Sequence, residues 1–326
     1  MSVNATSDFP FATPPDDSRP RRPLAVVKLT ELVPTLTPDL PGLLKLAELL
    51  ETWGADQVVL GEHLLRSTAG AHPGGLALAP TRPALDPLVT LGCVAGRTTR
   101  IGLATGAIIG PLHHAVGLAK AAATLDALSS GRLELGLVAG WDRAEFTAVG
   151  VPFEERFARL DETIDVCRTL WRQAPATFRG RWTDVVDVYS LPAPASGTGL
   201  PILVGGRPTE ATARRVAMRA DGWIASEAAG IEEVRRGVRL LRSACAQQNR
   251  SVDDLVVRAT IPVDVVRSSD ADALHRTVCE LVDAGATAVV IPLGAGVREI
   301  AGAERVVRSV GAVLETLRQR TTPSLP

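Results

Sequence analysis

A histidine at the end of an apolar segment is the first residue of this chain that could do chemistry. His63 follows Val58, Val59, Leu60, Gly61 and Glu62, in a segment that the pattern predicts as a buried strand. A neutral imidazole can donate or accept a proton near physiological pH. Active sites of parallel α/β proteins lie at the carboxyl ends of strands, so His63 is a candidate catalytic residue. A purely structural imidazole is the alternative.

Small residues close the third predicted strand, residues 101–107, at Thr105, Gly106 and Ala107. A strand end without bulky side chains lets a flat ring approach the backbone closely. These three residues are therefore candidate cofactor contacts. The alternative is an ordinary strand end.

A glycine and a tryptophan, Gly140 and Trp141, follow the predicted strand 133–138. Their position at another strand end makes them candidate cofactor contacts as well. The indole of Trp141 can either stack on a substrate or cap the barrel. Both roles stay open.

A strand, two glycines and a helix start come together at residues 201–209. Backbone amides and the helix dipole make such a junction suited to a phosphate group, and Arg207 adds positive charge beside Gly205 and Gly206. The spacing is not the Gly-x-Gly-x-x-Gly fingerprint of dinucleotide-binding proteins. We predict a phosphate site at these three residues.

Two adjacent histidines, His113 and His114, open the next predicted helix after Pro111. Adjacent residues on a helix point in different directions, and no carboxylate completes a ligand set in the sequence nearby. We therefore expect no metal. The cysteines share no metal-type spacing either and are predicted to be reduced structural thiols: Cys93, Cys167, Cys245 and Cys279.

Alternating segments must position these candidates. Short apolar runs fit strands at 24–29, 57–61, 101–107, 133–138, 201–204, 222–225, 256–263 and 287–292. Amphipathic segments between them fit helices at 39–53, 86–97, 113–129, 154–173, 208–220, 231–249, 270–284 and 297–318. Near-continuous apolar strands with helical crossovers indicate a parallel sheet. Eight units favour a single-domain α/β fold, a (β/α)8 TIM barrel, over an open sheet.

The domain boundaries follow from composition. Residues 1–23 are rich in Pro, Ser, Asp and Arg without periodicity and are predicted to be a disordered arm. The barrel is predicted over 24–318, with a tail at 319–326. Two long connections, 64–83 and 174–199, are expected as top loops, and either can be a substrate wall or a variable surface loop.

The overall composition restricts the partners of the protein. The 326 residues carry a formal net charge of −1, which gives no general attraction to nucleic acid or an anionic membrane. No apolar run approaches the roughly 20 residues of a membrane span. The N-terminus lacks a signal pattern of basic and then apolar residues, so we expect a cytoplasmic protein.

Taken together, several motifs resemble the luciferase-like monooxygenase superfamily. They are the run from Ser130-Gly131-Arg132 to Gly140-Trp141, then Glu145-Phe146, Gly150-Val151-Pro152-Phe153, Gly205-Gly206 and Asp221-Gly222-Trp223. Members of this superfamily are TIM barrels that use a flavin or a deazaflavin. The resemblance runs from about Leu24 to Leu317.

The resemblance also implies roles for individual residues. Similar proteins carry a histidine beside the cofactor ring at the position of His63. The residue before it is often Asp in those proteins and is Glu62 here. They carry a non-proline cis peptide bond against the ring, which here would be Gly106–Ala107. One of the two histidines at 113 and 114 would face the pocket, so Glu62, His113 and His114 are candidate substrate-pocket residues. Val138 stands where glycine is common, which makes a close approach of the backbone doubtful there.

The order of motifs is most similar to the branch that uses coenzyme F420. This implies hydride transfer between F420 and a small organic substrate, with His63 as the proton partner. Two alternatives remain: an FMN-dependent monooxygenase that uses reduced flavin and oxygen, and a flavin-binding barrel without turnover. We expect a homodimer that binds a small molecule, although the sequence does not determine the oligomeric state.

Overall fold

Eight parallel strand positions close into a barrel in the part of the chain that the structure describes. The computed structural model describes residues 23–29, 40–67, 83–293, 297 and 299–321. The barrel strands are β1 (Leu24–Lys28), β2 (Gln57–Leu60), β3 (Gly102–Thr105) continued by β4 (Ile108–Ile109), β5 (Leu133–Val138), β8 (Ile202–Gly205), β9 (Gly222–Ile224), β10 (Val256–Thr260) and β11 (Ala288–Pro292). The pairing of β3 with β5 and of β1 with β11 completes the closed ring. The predicted (β/α)8 barrel is confirmed.

Helices cover the outside of this ring. They are α1 (Leu40–Trp53), α2 (Pro87–Ala95), α3 (Ala115–Leu128), α4 (Arg143–Ala148), α5 (Arg156–Arg172), α6 (Glu210–Arg219), α7 (Ile231–Ala246), α8 (Val263–Ser268), α9 (Ala271–Asp283) and α10 (Ile300–Thr321). Side-chain caps fix several of their starts: Asp86 accepts from Val89 N, Asp142 from Ala144 N, and Asp270 from Ala273 N.

The core has two layers because strand side chains alternate between the two faces of the sheet. One layer lies between strands and helices. The other fills the barrel interior and includes Val26, Val59, Ala104, Leu203 and Val290. The barrel interior also holds a buried arginine, Arg258.

The structure departs from the sequence prediction most clearly at four places. The strand predicted at 256–263 ends at Thr260, and α8 begins at Val263 after Pro262, which has no amide hydrogen for a sheet. The strand predicted at 101–107 is split between Thr105 and Ile108. Residues 174–199 contain an antiparallel hairpin, β6 (Ala176–Arg179) and β7 (Asp184–Val188), rather than a plain loop. The final helix runs to Thr321, past the predicted start of the tail at 319.

Several predictions lie outside the described residues. These are the disordered arm over residues 1–22, the substrate wall over 68–82 and the end of the tail over 322–326. Among the helices that the structure describes, none is both long and apolar enough to cross a membrane. All four cysteines are free and lie in helices, and burial raises the pKa of the Cys167 thiol to about 12.

Candidate active site

The carboxyl end of the third barrel strand carries a backbone irregularity. The peptide bond between Gly106 and Ala107 is cis, where the resemblance places it, and it separates β3 from β4. Gly106 and Ala107 are half-buried, whereas Thr105 and Ile108 beside them are fully buried. The strand therefore opens to the barrel mouth only at this bulge.

The inner side of the bulge is packed against the barrel core. A Cβ atom on Gly106 would lie 2.4 Å from Val59 Cγ2 and 3.5 Å from Arg258 Nη1, so the position has no room for a side chain. Arg258 is buried inside the barrel and donates to the carbonyl of Thr105 and to Gln57 Oε1, and it pairs with Glu134. A buried charge is tolerated when it is paired and hydrogen-bonded in this way.

Glu62 holds the bulge from the neighbouring strand end. Its amide donates to the carbonyl of Ala107 at 3.1 Å, and its Oε2 accepts the amide of Ile109 at 2.7 Å. Its Oε1 contacts His113 Nε2 at 2.7 Å. Both carboxylate oxygens are thus engaged within the protein, and they connect β2, β4 and the segment before α3.

The charge of Glu62 also affects its histidine partner. Burial disfavours the imidazolium and lowers the pKa of His113, but the hydrogen bond and the charge of Glu62, together with Asp86, outweigh it. The net result is a raised pKa for His113. The carboxylate of Glu62 therefore stabilises the charged form of His113.

His63 follows Glu62 in the chain but faces a different carboxylate, that of Glu145. Its Nδ1 atom is 3.6 Å from Glu145 Oε1, in the helix α4 that follows β5. The Glu145 side chain is fully buried, and the His63 side chain is 13% exposed. The indole of Trp141 meets the imidazole edge to face, with ring centroids 5.9 Å apart. The structure therefore brings His63 and Trp141 together.

The turn after β5 needs glycine at position 140. Gly140 has φ of +83°, and a Cβ atom there would lie 2.6 Å from Ile109 Cγ2 and 2.8 Å from Phe146. This close contact brings the β5 turn against β4. The Thr105 hydroxyl binds both the amide and the carbonyl of Gly136, so it stabilises the strand pair.

The predicted phosphate site lies at the end of β8. Gly205 and Gly206 are half-buried and Arg207 is exposed. The amide of Gly206 already donates to the carbonyl of Ile224, and its own carbonyl accepts from Trp223 Nε1. If a phosphate binds here, as predicted, the Arg207 amide and the first turn of α6 would hold it, because the first amides of a helix lack intrahelical partners.

Val138 occupies the space beside this site. Its Cγ1 atom would be only 2.6 Å from a Cβ at Gly205, so the absence of a side chain at Gly205 accommodates the valine. The sequence left it doubtful whether a valine could replace the usual glycine at position 138. The structure has room for Val138 because Gly205 carries no side chain.

His114 is separated from the catalytic candidates. It is exposed at the start of α3, where it lines a cleft of about 230 Å³ with His113, Arg159, Glu162 and Trp182. Across the described residues, no three His, Cys, Asp or Glu side chains cluster so as to hold a metal ion.

Two buried charged residues of this region, Glu145 and Arg258, are not among the residues predicted from the sequence. Glu145 belongs to one of the motifs of the family resemblance, but it is far from His63 in the chain, so the sequence does not reveal their contact. Arg258 was counted as part of a strand. A charged residue inside an apolar strand run was the available signal for Arg258, because such a residue is almost never buried unless paired.

The model of the family described as luciferase-like monooxygenase matches residues 24–309, and the chain belongs to that family. The resemblance predicted from the motifs is confirmed. Members are F420- or flavin-dependent oxidoreductases, and the comparisons leave the cofactor of this chain open.

Curated relatives include proteins of both cofactor classes. An uncharacterized protein of Mycobacterium tuberculosis is 36% identical over 55% of this chain and 65% of its own. An FMNH2-dependent dimethylsulfone monooxygenase of Pseudomonas fluorescens is 33% identical over 48% of this chain and 42% of its own. An F420-dependent glucose-6-phosphate dehydrogenase of Nakamurella multipartita is 34% identical over 55% and 50%. The matched stretch thus spans 42% to 65% of the length of these relatives.

A solved structure extends the likeness over the barrel as a whole. The coenzyme F420-dependent tetrahydromethanopterin reductase of Methanopyrus kandleri superposes with a TM-score of 0.70 at 15% identity, covering 91% of this chain and 99% of its own. At this identity the likeness shows the fold alone. The predicted homodimer stays a prediction.

Proposed function

We propose that this protein is an oxidoreductase that transfers a hydride between coenzyme F420 and a small organic substrate. The observation that carries the proposal is the position of His63 directly after Glu62, the residue that binds the half-buried Gly106–Ala107 bulge at the end of the third strand. The amide of Glu62, the residue before His63, donates to the carbonyl of Ala107 at 3.1 Å. A proton-transfer group thus lies next to an open backbone surface.

The residues at the mouth fit a tricyclic ring. Gly106, Ala107 and Gly140 are all half-buried and together contribute a single methyl group, so a flat ring could lie close to their backbone. Trp141 would border the ring, and the Arg207 amide with the start of α6 would hold the first phosphate. When bound, F420 supplies the carbon that accepts or returns a hydride, and FMN supplies a reduced ring that reacts with oxygen.

The protein's own part in the reaction is to position the substrate and to move a proton. His63 would take the hydroxyl proton of an alcohol substrate during oxidation, and return it in the reverse direction. Glu62 would hold the bulge rather than contact the substrate, because both of its oxygens are bound. His113 and His114 remain proposed pocket residues.

A second candidate function is an FMN-dependent monooxygenase. It is supported by the similarity to the dimethylsulfone monooxygenase, which covers nearly as much of this chain as the similarity to the F420-dependent dehydrogenase. Both cofactors share the tricyclic ring and the first phosphate, so the mouth described above suits either. The choice of F420 rests on the resemblance of the motif order to that branch.

Parallel cofactor titrations test the choice. A ligand that binds the native state raises the thermal midpoint by mass action, so F420 should raise it more than FMN at equal concentration. The variant Gly206→Val tests the anion site: its Cβ would contact Thr212 at 3.6 Å, and the two further methyl groups of valine would extend into the space beside the first turn of α6. We expect its affinity for F420 to fall at least about tenfold, a loss of ~1.4 kcal/mol.

Turnover under anaerobic conditions tests the reaction class. Glucose 6-phosphate with F420, and dimethylsulfone with reduced FMN and oxygen, are first probes taken from the relatives. Substrate-dependent change of the F420 absorbance without oxygen supports the proposal. Activity only with reduced FMN and oxygen would replace it with the second candidate, and binding without turnover of any tested substrate would favour a non-catalytic barrel.

A further inference from the structure

The His63 and Glu145 side chains face each other without completing a hydrogen bond. The distance from His63 Nδ1 to Glu145 Oε1 is 3.6 Å. Within the described part of the chain, neither His63 Nδ1 nor Glu145 Oε2 has a hydrogen-bond partner, although both atoms are buried. Buried polar atoms are normally satisfied, so such a pair needs an explanation.

Other contacts of Glu145 fix the carboxylate in this position. Its Oε1 accepts the amide of Leu64 at 2.8 Å and that of Leu65 at 3.3 Å. The helix that carries it begins at the cap formed by Asp142, which also accepts the amide of Ser67 at 3.4 Å. The segment directly after His63 is thus tied to α4, and the carboxylate stays beside the imidazole.

The orientation of the imidazole follows from this geometry. Nδ1 is buried against Glu145, so the 13% exposure of the side chain lies on its other atoms. A carboxylate facing Nδ1 favours the tautomer with the proton on Nδ1 and leaves Nε2 free to accept a proton. Separations in active sites without substrate are often long and shorten when substrate binds.

We infer that Glu145 is a positioning residue that sets the tautomer of His63 and stabilises its charged form. The inference rests on the proposed function. In alcohol oxidation a hydride leaves the carbinol carbon with its electron pair for F420, and the hydroxyl proton passes to Nε2 of His63. The products are a carbonyl compound, reduced cofactor and an imidazolium, whose charge then faces the Glu145 carboxylate.

Other charged groups lie on the segments next to the His63–Glu145 pair. Asp142 lies on the same helix as Glu145, Arg66 lies on the segment after His63, and the Glu62–His113 pair adjoins on the other side. Of these carboxylates, only Glu145 faces Nδ1 within 4.0 Å among the described residues. Removing its charge should therefore change the tautomer of His63 in particular.

The first experiment uses the cofactor-free protein and needs no substrate. NMR of the 15N-labelled imidazoles, assigned with His63→Ala, follows the tautomer of the neutral His63 imidazole in wild type and Glu145→Gln. Glutamine keeps an oxygen for the Leu64 amide but removes the charge. We expect the Nδ1-protonated tautomer to lose population in Glu145→Gln, because a neutral amide accepts a hydrogen bond less strongly than a carboxylate.

The second experiment uses turnover. Glu145→Gln should lower kcat at least about tenfold, up to the ~10²–10⁴ that His63 itself contributes. Glu154→Gln is the matched control, because it removes an exposed carboxylate that pairs with Arg143, which lies on the same helix as Glu145. We expect wild-type kcat for this control.

A comparison with Glu145→Asp separates charge from scaffolding. If the charge matters, Asp retains more activity than Gln. A role only in tying down Leu64 predicts the reverse order, and that result, or an unchanged His63 tautomer in Glu145→Gln, would overturn the inference. Failure of F420 and FMN turnover in the wild type would instead overturn the proposed function, while NMR of the imidazole still reports on the pair.

Discussion

Two carboxylate–imidazole pairs lie side by side at the barrel mouth and differ in how complete they are. In one, His113 Nε2 is 2.7 Å from Glu62 Oε1, and the other oxygen of Glu62 binds the amide of Ile109. In the other, His63 Nδ1 is 3.6 Å from Glu145 Oε1, and the second oxygen of Glu145 has no partner among the described residues. Both carboxylates are buried.

From this difference we expect the Glu62–His113 pair to be structural and the His63–Glu145 pair to take part in proton transfer. A pair with its hydrogen bonds made holds neighbouring segments together, and here it connects the cis bulge to the segment before α3. A carboxylate with an unused oxygen can still form a hydrogen bond to the imidazole when the imidazole takes up a proton. Because His63 and Glu62 are adjacent in sequence, the two functions are built from consecutive residues that face different partners.

The largest expected contrast is between the two histidines. His63→Ala should lower kcat by ~10²–10⁴, the usual contribution of general acid–base catalysis, with little change in cofactor affinity. His113→Ala should lower kcat by less than about tenfold, because its partner holds backbone rather than substrate. Steady-state kinetics with the identified cofactor measure both.

The contrast fails if the His63 variant keeps full activity. In that case another group supplies the proton, and the unsatisfied pair is structural. Equal losses in both variants would place His113 in the pocket, as the sequence resemblance allows.

The next effect concerns stability. Glu62→Ala leaves the buried Ile109 amide without its acceptor and should lower the free energy of unfolding by about 1–3 kcal/mol. Urea unfolding measures this loss. The control Glu304→Ala removes an exposed pair with Arg308 on α10 and should change the free energy of unfolding much less. Similar losses in both variants would mean that Glu62 does not hold the bulge.

The smallest effect is a dependence of stability on pH. The folded pKa of His113 is raised above its usual ~6.5, so the folded state binds this proton more tightly than the unfolded chain. The stabilisation is fully present below about pH 6.5 and is lost as pH rises through the folded pKa. His113→Gln can still donate to Glu62 but does not titrate.

Unfolding of the wild type and His113→Gln over pH 5–9 should therefore give a difference that declines as pH rises. The exposed His275→Gln on α9 controls for the loss of a histidine. A difference that stays constant across this range would show that the Glu62–His113 pair does not carry charge-dependent stability.

The sequence predicted most barrel elements because their signals are local. Apolar runs, helix periodicity and the glycines after strands place β2, β5 and β8 within one residue of their bounds. The hairpin β6–β7 was missed because its strands lie outside the barrel and bury little apolar surface, although Asp184–Val188 has high β-propensity. The short helix α8 was missed because the apolar residues Ile261 and Val263 extended the predicted strand past Pro262.

The sequence by itself determined which strand ends could carry chemistry: His63, the Gly106–Ala107 step and the Gly205–Gly206 junction. Each is read from residue type and from its distance to an apolar run. Only the tertiary structure decided that Glu62 turns to the bulge and that Glu145 faces His63. Leu64, which Glu145 also binds, is 81 positions away in the chain. Barrel closure brings such distant groups together, and the number of hydrogen bonds that each buried carboxylate completes depends on which neighbours the closure supplies.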